Sequence, residues 1–265
     1  MSRTAIIAGQ GALAPTVAAM LDNPVVAALE GFAPPIPHET FRLERLVPFF
    51  DWLADQDVSR VTFAGAVRRP RLDPEAFDPR TASLVPRILT AMQSGDDAAL
   101  REVIALFEEF GFTVAGTAEI APNLVPGAGM LAGEPSAADI ADADRAAKIV
   151  EGLGALDLGQ GAVVAQGLCL AVETIPGTAA MLEFVAQHQD MRPRKNGARG
   201  VFWKAPKPGQ DRRIDLPTIG PETVDQAAAA GLAGIAWQAG GVILLERETA
   251  LERARDAGIF LWARD

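Results

Sequence analysis

An apolar run at residues 4–8 is broken by Gly9-Gln10-Gly11 and followed by a stretch of helical character at residues 15–21. A strand leading through glycines into a helix is how α/β domains begin, with the helix pointing its amino end at a ligand. The pattern recurs. Leu43, Leu46, Val47, Phe50 and Leu53 stand three and four apart and predict a helix over residues 43–56, followed by a strand at 58–64. Leu100, Val103, Ile104 and Phe107 form the stripe of a further helix over 96–111, with a strand at 112–116. Such alternation predicts a Rossmann-like domain with a mostly parallel sheet covered on both faces, assigned to residues 1–130.

Both glycine-marked strand ends are candidate ligand contacts, because open α/β sheets bind at the carboxyl edge of their strands. Gly9 and Gly11 mark the first and Gly65 the second, where Arg68-Arg69-Pro70 follows. Arg69 is the sharper choice there, since Pro70 keeps it out of a helix; its alternative is a surface salt bridge. At the first loop the full GxGxxG is absent, with Ala14 at its last position, so a turn that merely needs glycine is the competing reading.

Proline and glycine interrupt any regular element over residues 122–136, which places a domain junction there, with Asn123 serving a turn or the intervening cleft. The rest, residues 131–265, reads as a second α/β domain with a mixed sheet. It has a helix at 137–153, a hairpin of strands 162–165 and 168–173 turning at Gln166-Gly167, and a helix at 179–187 with Thr178 as its amino cap or a ligand contact. Strands at 231–236 and 242–246 and helices at 224–230 and 249–257 complete it.

The sequence has 265 residues, 49% of them hydrophobic, and a formal charge of −10. That charge repels phosphate backbones and argues against bulk nucleic-acid binding. The apolar content permits a homodimer interface without locating one. Cys169, in an apolar run, is the only cysteine and reads as a buried small hydrophobe; it excludes a disulfide within the chain and a Cys-built metal cluster. Two histidines are too few for a His-built site, leaving oxygen ligands and a hard ion such as Mg2+. The first residues are too short in apolar content for a secretory signal, and no run reaches a membrane span, so a cytoplasmic protein is expected.

Against this acidic background, residues 192–213 hold eight basic residues and one acid. An anionic ligand or a solvated basic loop would account for that run. Pro206 and Pro208 stiffen the chain around Lys207, so Lys204, Lys207, Arg212 and Arg213 lose less entropy on gripping a diphosphate. Four acids, Asp211, Asp215, Glu222 and Asp225, share the neighbourhood. Salt-bridge pairing explains them, and so does a divalent cation bridging carboxylate and phosphate oxygens. Gly220-Pro221 starts a helix, which sets Glu222 and Asp225 on one face of its first turn. The chemistry this permits is attack by water on phosphorus. Asp225 is the principal catalytic residue, holding the metal or orienting the water, with Asp215 and Glu222 as further metal ligands.

The chain resembles the metal-dependent UDP-2,3-diacylglucosamine pyrophosphatases of the non-calcineurin-like class, found in Gram-negative bacteria that make lipid A. The likeness runs through AIIAGQGALAP, FAGAVRRP, GDDAALREVIALFEEFGF, LDLGQGAVVAQG and KPGQDRRIDLPTIGPETVDQAAAAGLAGIAWQAGG, the last being the most specific. It implies two α/β domains with a ligand groove between them, and magnesium-dependent hydrolysis of the substrate diphosphate to UMP and 2,3-diacylglucosamine 1-phosphate. It also implies a peripheral enzyme on the inner face of the inner membrane, acting on a lipid-linked nucleotide sugar. By motif, Lys207, Asp211, Asp215 and Asp225 are its catalytic residues, and Gln166, Thr178, Lys204, Gln210 and Arg213 join the glycine loops, Arg69 and Asn123 in binding substrate. The chain departs from the family pattern at Ala179, where an aspartate is usual, and at Gln10, where a basic residue is frequent.

Overall fold

The structure is a computed structural model that describes residues 3–68 and 70–265. It forms two compact units, Met1–Pro122 with Asp211–Asp215, and Asn123–Gln210 with Leu216–Asp265.

The first unit alternates strands and helices: β1 (Arg3–Ala8), α1 (Leu13–Ala18), β2 (Val25–Leu29), β3 (Glu39–Phe41), α2 (Leu46–Asp55), β4 (Val58–Ala64), α3 (Pro79–Ala82), α4 (Val85–Gln93), α5 (Asp96–Glu109), β5 (Thr113–Val114) and α6 (Thr117–Ile120). Its five-stranded sheet runs in the order β3-β2-β1-β4-β5, parallel throughout. This is the order of a Rossmann half-sheet, and it changes direction between β1 and β4. The core gathers the apolar stripes of α2 and α5 on the central strands, with Phe50 meeting Phe107 edge to face at 4.8 Å between ring centroids. Helix α1 starts at Leu13 rather than residue 15, because Pro15 is tolerated in a first turn that needs no donor there.

The second unit comprises β6 (Gly129–Ala132), α7 (Ala137–Ala155), β7 (Gly161–Ala165), β8 (Leu168–Val172), α8 (Gly177–Gln187), β9 (Val201–Lys204), β10 (Thr218–Ile219), α9 (Pro221–Ala229), β11 (Gly234–Gln238), β12 (Ile243–Leu244), α10 (Arg247–Ala257) and β13 (Phe260–Arg264). A six-stranded sheet has the order β6-β13-β11-β9-β7-β8. β9, β11 and β13 are parallel and the remaining pairings antiparallel, the mixed sheet that the sequence predicts. One face packs on α8, α9 and α10 and the other on α7, giving two apolar clusters. β10 and β12 form a separate parallel pair.

The hairpin turns at Gln166 and Gly167, with φ of 54° and 77°, the left-handed pair that matches strand twist. The buried Asp142 of α7 accepts from both turn amides, at 2.9 and 2.7 Å. Two expectations about this region are overturned. Cys169 is exposed, because β8 is the outer strand of the sheet; partial burial still pushes its thiol pKa up, so it remains a poor nucleophile. Thr178 is not the cap of α8 but its second residue; Pro176 precedes the helix and offers no side-chain acceptor.

Candidate functional site

At the switch point of the first unit the two glycine loops close on each other. Gln10 and Ala66 exchange backbone hydrogen bonds at 2.9 Å in both directions, and the Gly9 amide donates to the Ala64 carbonyl at 2.8 Å. Added side chains would not fit. A Cβ on Gly9 would lie 2.5 Å from the Ala66 carbonyl oxygen, and one on Gly65, held at φ of 104°, 2.7 Å from the Gly9 backbone. Gly11, at φ of 97°, has open space where a side chain would be. Close backbone approach thus explains Gly9 and Gly65, whereas Gly11 is required by conformation and leaves room beside the loop. Arg69 lies outside the described residues.

Asp211–Asp215 counts with this first unit. The Asp211 carboxylate accepts from the Arg213 guanidinium at 2.7 Å and from its backbone amide at 3.0 Å, and Arg213 also reaches Glu108 at 2.6 Å. The Arg213 hydrogen bond holds the Asp211 carboxyl below the usual carboxylate range, and the same pairing pushes the Arg213 guanidinium up. Gly116 allows this segment to lie close, since a Cβ there would stand 3.1 Å from the Arg213 Cα. Asp215 sits at the end of the segment, half-buried.

In the second unit, β9 delivers Lys204 to the carboxyl end of its parallel strands. The side chain is 7% exposed, and its Nζ donates to Thr178 Oγ1 at 2.5 Å and lies 3.4 Å from Glu173 Oε1. Thr178 in turn donates to Glu173 at 2.6 Å. Glu173 has a second oxygen, Oε2, that is buried with no hydrogen-bond partner among the described residues. This Lys-Thr-Glu cluster stands at the amino end of α8, where backbone donors and the helix dipole favour an anion. Ala179 brings no carboxylate to this loop, and the one that Thr178 meets comes from Glu173 at the end of the hairpin.

Lys207 is fixed by its turn. Its amide donates to Gln210 Oε1 at 2.9 Å, that oxygen also accepts from Gln160 at 3.0 Å, and Lys207 Nζ meets Asp157 at 2.5 Å. Gly154 on α7 makes the approach feasible, because a Cβ there would run into the Pro208 ring at 2.5 Å. Gln166 belongs to a different cluster, bonded to Arg194 and the Ala198 carbonyl. Asn123 is exposed in a single helical turn.

Helix α9 begins as the Gly220-Pro221 spacing predicts, with Thr223 Oγ1 accepting from the Gly220 amide at 3.3 Å. Glu222 lies in its first turn, but Asp225, the fifth residue of a helix that starts at Pro221, lies in the next, so the two do not share the first turn as expected; both are exposed, and Asp225 is ion-paired with Arg253 of α10. Among the described residues no group of three or more His, Cys, Asp and Glu side chains is arranged to hold a metal ion. Glu222 and Asp225 are two exposed hard carboxylates three residues apart, the donor type that a magnesium ion takes while keeping several waters, and they do not make a protein cage.

Glu173, Asp157, Gln160 and Arg253 were not singled out in the sequence. For Glu173 the best signal was Lys204 at the end of the apolar Val201-Phe202-Trp203, since a buried lysine requires an acceptor.

Two family models match the chain: LpxI N-terminal domain over residues 3–124 and LpxI C-terminal domain over residues 127–262. The chain belongs to the LpxI family. A curated relative, the UDP-2,3-diacylglucosamine pyrophosphatase LpxI of Caulobacter vibrioides (strain ATCC 19089 / CIP 103742 / CB 15), is 38% identical over 275 aligned positions, which span 100% of this chain and 98% of the relative. The LpxI relationship therefore runs through both units.

Proposed function

We propose that the chain hydrolyses the diphosphate of UDP-2,3-diacylglucosamine, giving UMP and 2,3-diacylglucosamine 1-phosphate for lipid A biosynthesis. One observation carries this reading: 38% identity spanning 100% of the chain and 98% of a relative named for that activity, so no unit of the relative lacks a counterpart.

In the reaction the oxygen of water bonds to one phosphorus, the bridging phosphorus–oxygen bond breaks, and the departing phosphate keeps the bridging oxygen. Water's protons pass to solvent or to the phosphate products. The closed glycine loops at the switch point support assigning Gly9, Gly11 and Gly65 to contact with the polar part of the substrate. The buried Lys204, held by Thr178 and Glu173 at the start of α8, supports a role in neutralising an anionic oxygen without reorganisation. Lys207, fixed by Gln210, adds a positioned cation. Asp225 is assigned to the catalytic step. Glu222 and Asp225 would hold magnesium, which when bound supplies positive charge to the diphosphate oxygens. No helix among the described residues is long and apolar enough to cross a membrane. We assign the enzyme to the cytoplasm, meeting its diacylated substrate at the inner face of the inner membrane.

The test is product analysis with the purified chain, UDP-2,3-diacylglucosamine and magnesium, manganese or a chelator. UMP and the 1-phosphate should appear with magnesium and vanish with chelator. Absence of UMP under every divalent ion would overturn the assignment.

A further inference from the structure

The second unit carries apolar side chains that its own core leaves uncovered. Ile175, in the turn after β8, is fully exposed, Met191 is 67% exposed, and Phe184 and Leu168 are each 48% exposed. Three of these are linked through their neighbours along α8. The turn around Pro176 and Gly177 shares a shallow cavity of about 280 Å³ with Phe184. Phe184 stacks on His188 with ring centroids 4.2 Å apart, and the Met191 amide donates to the His188 carbonyl. Directly after Met191 the chain turns basic: residues 188–200 contain Arg192, Arg194, Lys195 and Arg199 against Asp190, a sum of 4 − 1 = +3. Arg194 and Lys195 are both exposed.

The chain as a whole carries −10, so everything outside residues 188–200 sums to −10 − 3 = −13. An anionic surface therefore repels the rest of the molecule and attracts this segment, next to large side chains that gain by leaving water. A second copy of the chain suits the face less well, because a two-fold contact sets the same positive segment against itself. We infer that Ile175, Phe184 and Met191, with Arg194 and Lys195 following Met191 in the chain, form a face that rests on an anionic phospholipid bilayer. The inference deepens the membrane contact proposed above and rests on the reading that the substrate is a membrane lipid.

Co-sedimentation of the full chain with phosphatidylglycerol–phosphatidylethanolamine vesicles, against phosphatidylcholine vesicles, tests the face without needing turnover. The wild-type chain should partition onto the anionic vesicles and be released by salt. Ile175→Asp with Met191→Asp, and separately Lys195→Glu, should each weaken partition roughly five- to tenfold while the melting temperature holds. Hydrolysis of substrate presented in detergent micelles should be unchanged in both variants. No anionic-vesicle binding by the wild type, or equal binding by the variants, would overturn the inference. So would a dimer in gel filtration that the Ile175→Asp, Met191→Asp chain converts to monomer. Vesicle binding that follows the expected pattern in a chain that makes no UMP would sustain the face and refute the hydrolytic reading.

Discussion

A lysine that is 7% exposed at the end of an apolar strand must have its charge met, and Glu173 does this for Lys204. Lys204→Met would leave the carboxylate buried with Thr178 and should cost about 3–5 kcal/mol of stability in denaturant titration, whereas Lys204→Met with Glu173→Leu should lose much less. Asp211 gives a pH signature of the opposite kind. Its folded-state pKa is depressed by Arg213, so its contribution is full above the ordinary carboxylate value of about 4 and disappears as pH falls through the folded value. Asp211→Asn should therefore flatten the acid limb of a stability-against-pH curve below about pH 4 and leave its slope at neutral pH alone. At Asp225, Asp225→Ala should abolish UMP release with folding retained, since the side chain is exposed and its pairing with Arg253 contributes at most about 1 kcal/mol. Arg253→Ala removes a cation that competes for Asp225 and should tighten magnesium binding severalfold in calorimetry; unchanged affinity would detach Asp225 from the ion. The start of α9 was legible because proline at a first helical position is a local signal. Arg253 and Glu173 were not, since each meets its partner across about 30 residues of chain through packing that no spacing rule encodes.

Strand and helix alternation, by contrast, was open to reading wherever apolar periodicity ran long. α2 and α5 follow their stripes, and both glycine loops sit at strand ends as expected. β2 escaped because two of the five residues of VVAAL are alanine, a weak strand former, and its run shows no alternation. The short β10 escaped because a two-residue strand has no periodicity, whereas β12 falls inside the strand expected at 242–246 but is shorter than that. The meeting of the loops after β1 and β4 was also invisible, since it depends on strand order. It can be tested directly. Gly9→Ala drives a Cβ to 2.5 Å from a backbone oxygen, and Gly65→Ala adds a positive φ to a similar clash. Each should lower stability by about 2 kcal/mol or more, with Gly11→Ala milder because nothing stands in the way of its Cβ.

At the scale of the whole molecule the chain builds two units with separate apolar cores, yet it does not divide them at a single boundary. Residues 123–210 belong to the second unit, Asp211–Asp215 to the first, and Leu216–Asp265 to the second again. Composition marked the glycine- and proline-rich junction but not the excursion, because Asp211-Arg212-Arg213-Ile214-Asp215 reads locally as more of the same basic segment. Ile214 packs against the core of the first unit. Ile214→Ala should accordingly lower hydrogen-exchange protection in residues 3–122 by about 1–3 kcal/mol and leave residues 123–210 unaffected; a loss spread equally over both would refute the assignment. The excursion also sets a timetable for synthesis. A ribosome finishes the first 122 residues well before it makes the five that complete their unit, and the 88 residues at 123–210 come between. The nascent amino-terminal half therefore waits, at about 5–20 residues per second, for several seconds with part of its core uncovered. The first unit thus closes its core only when four-fifths of the chain has been made.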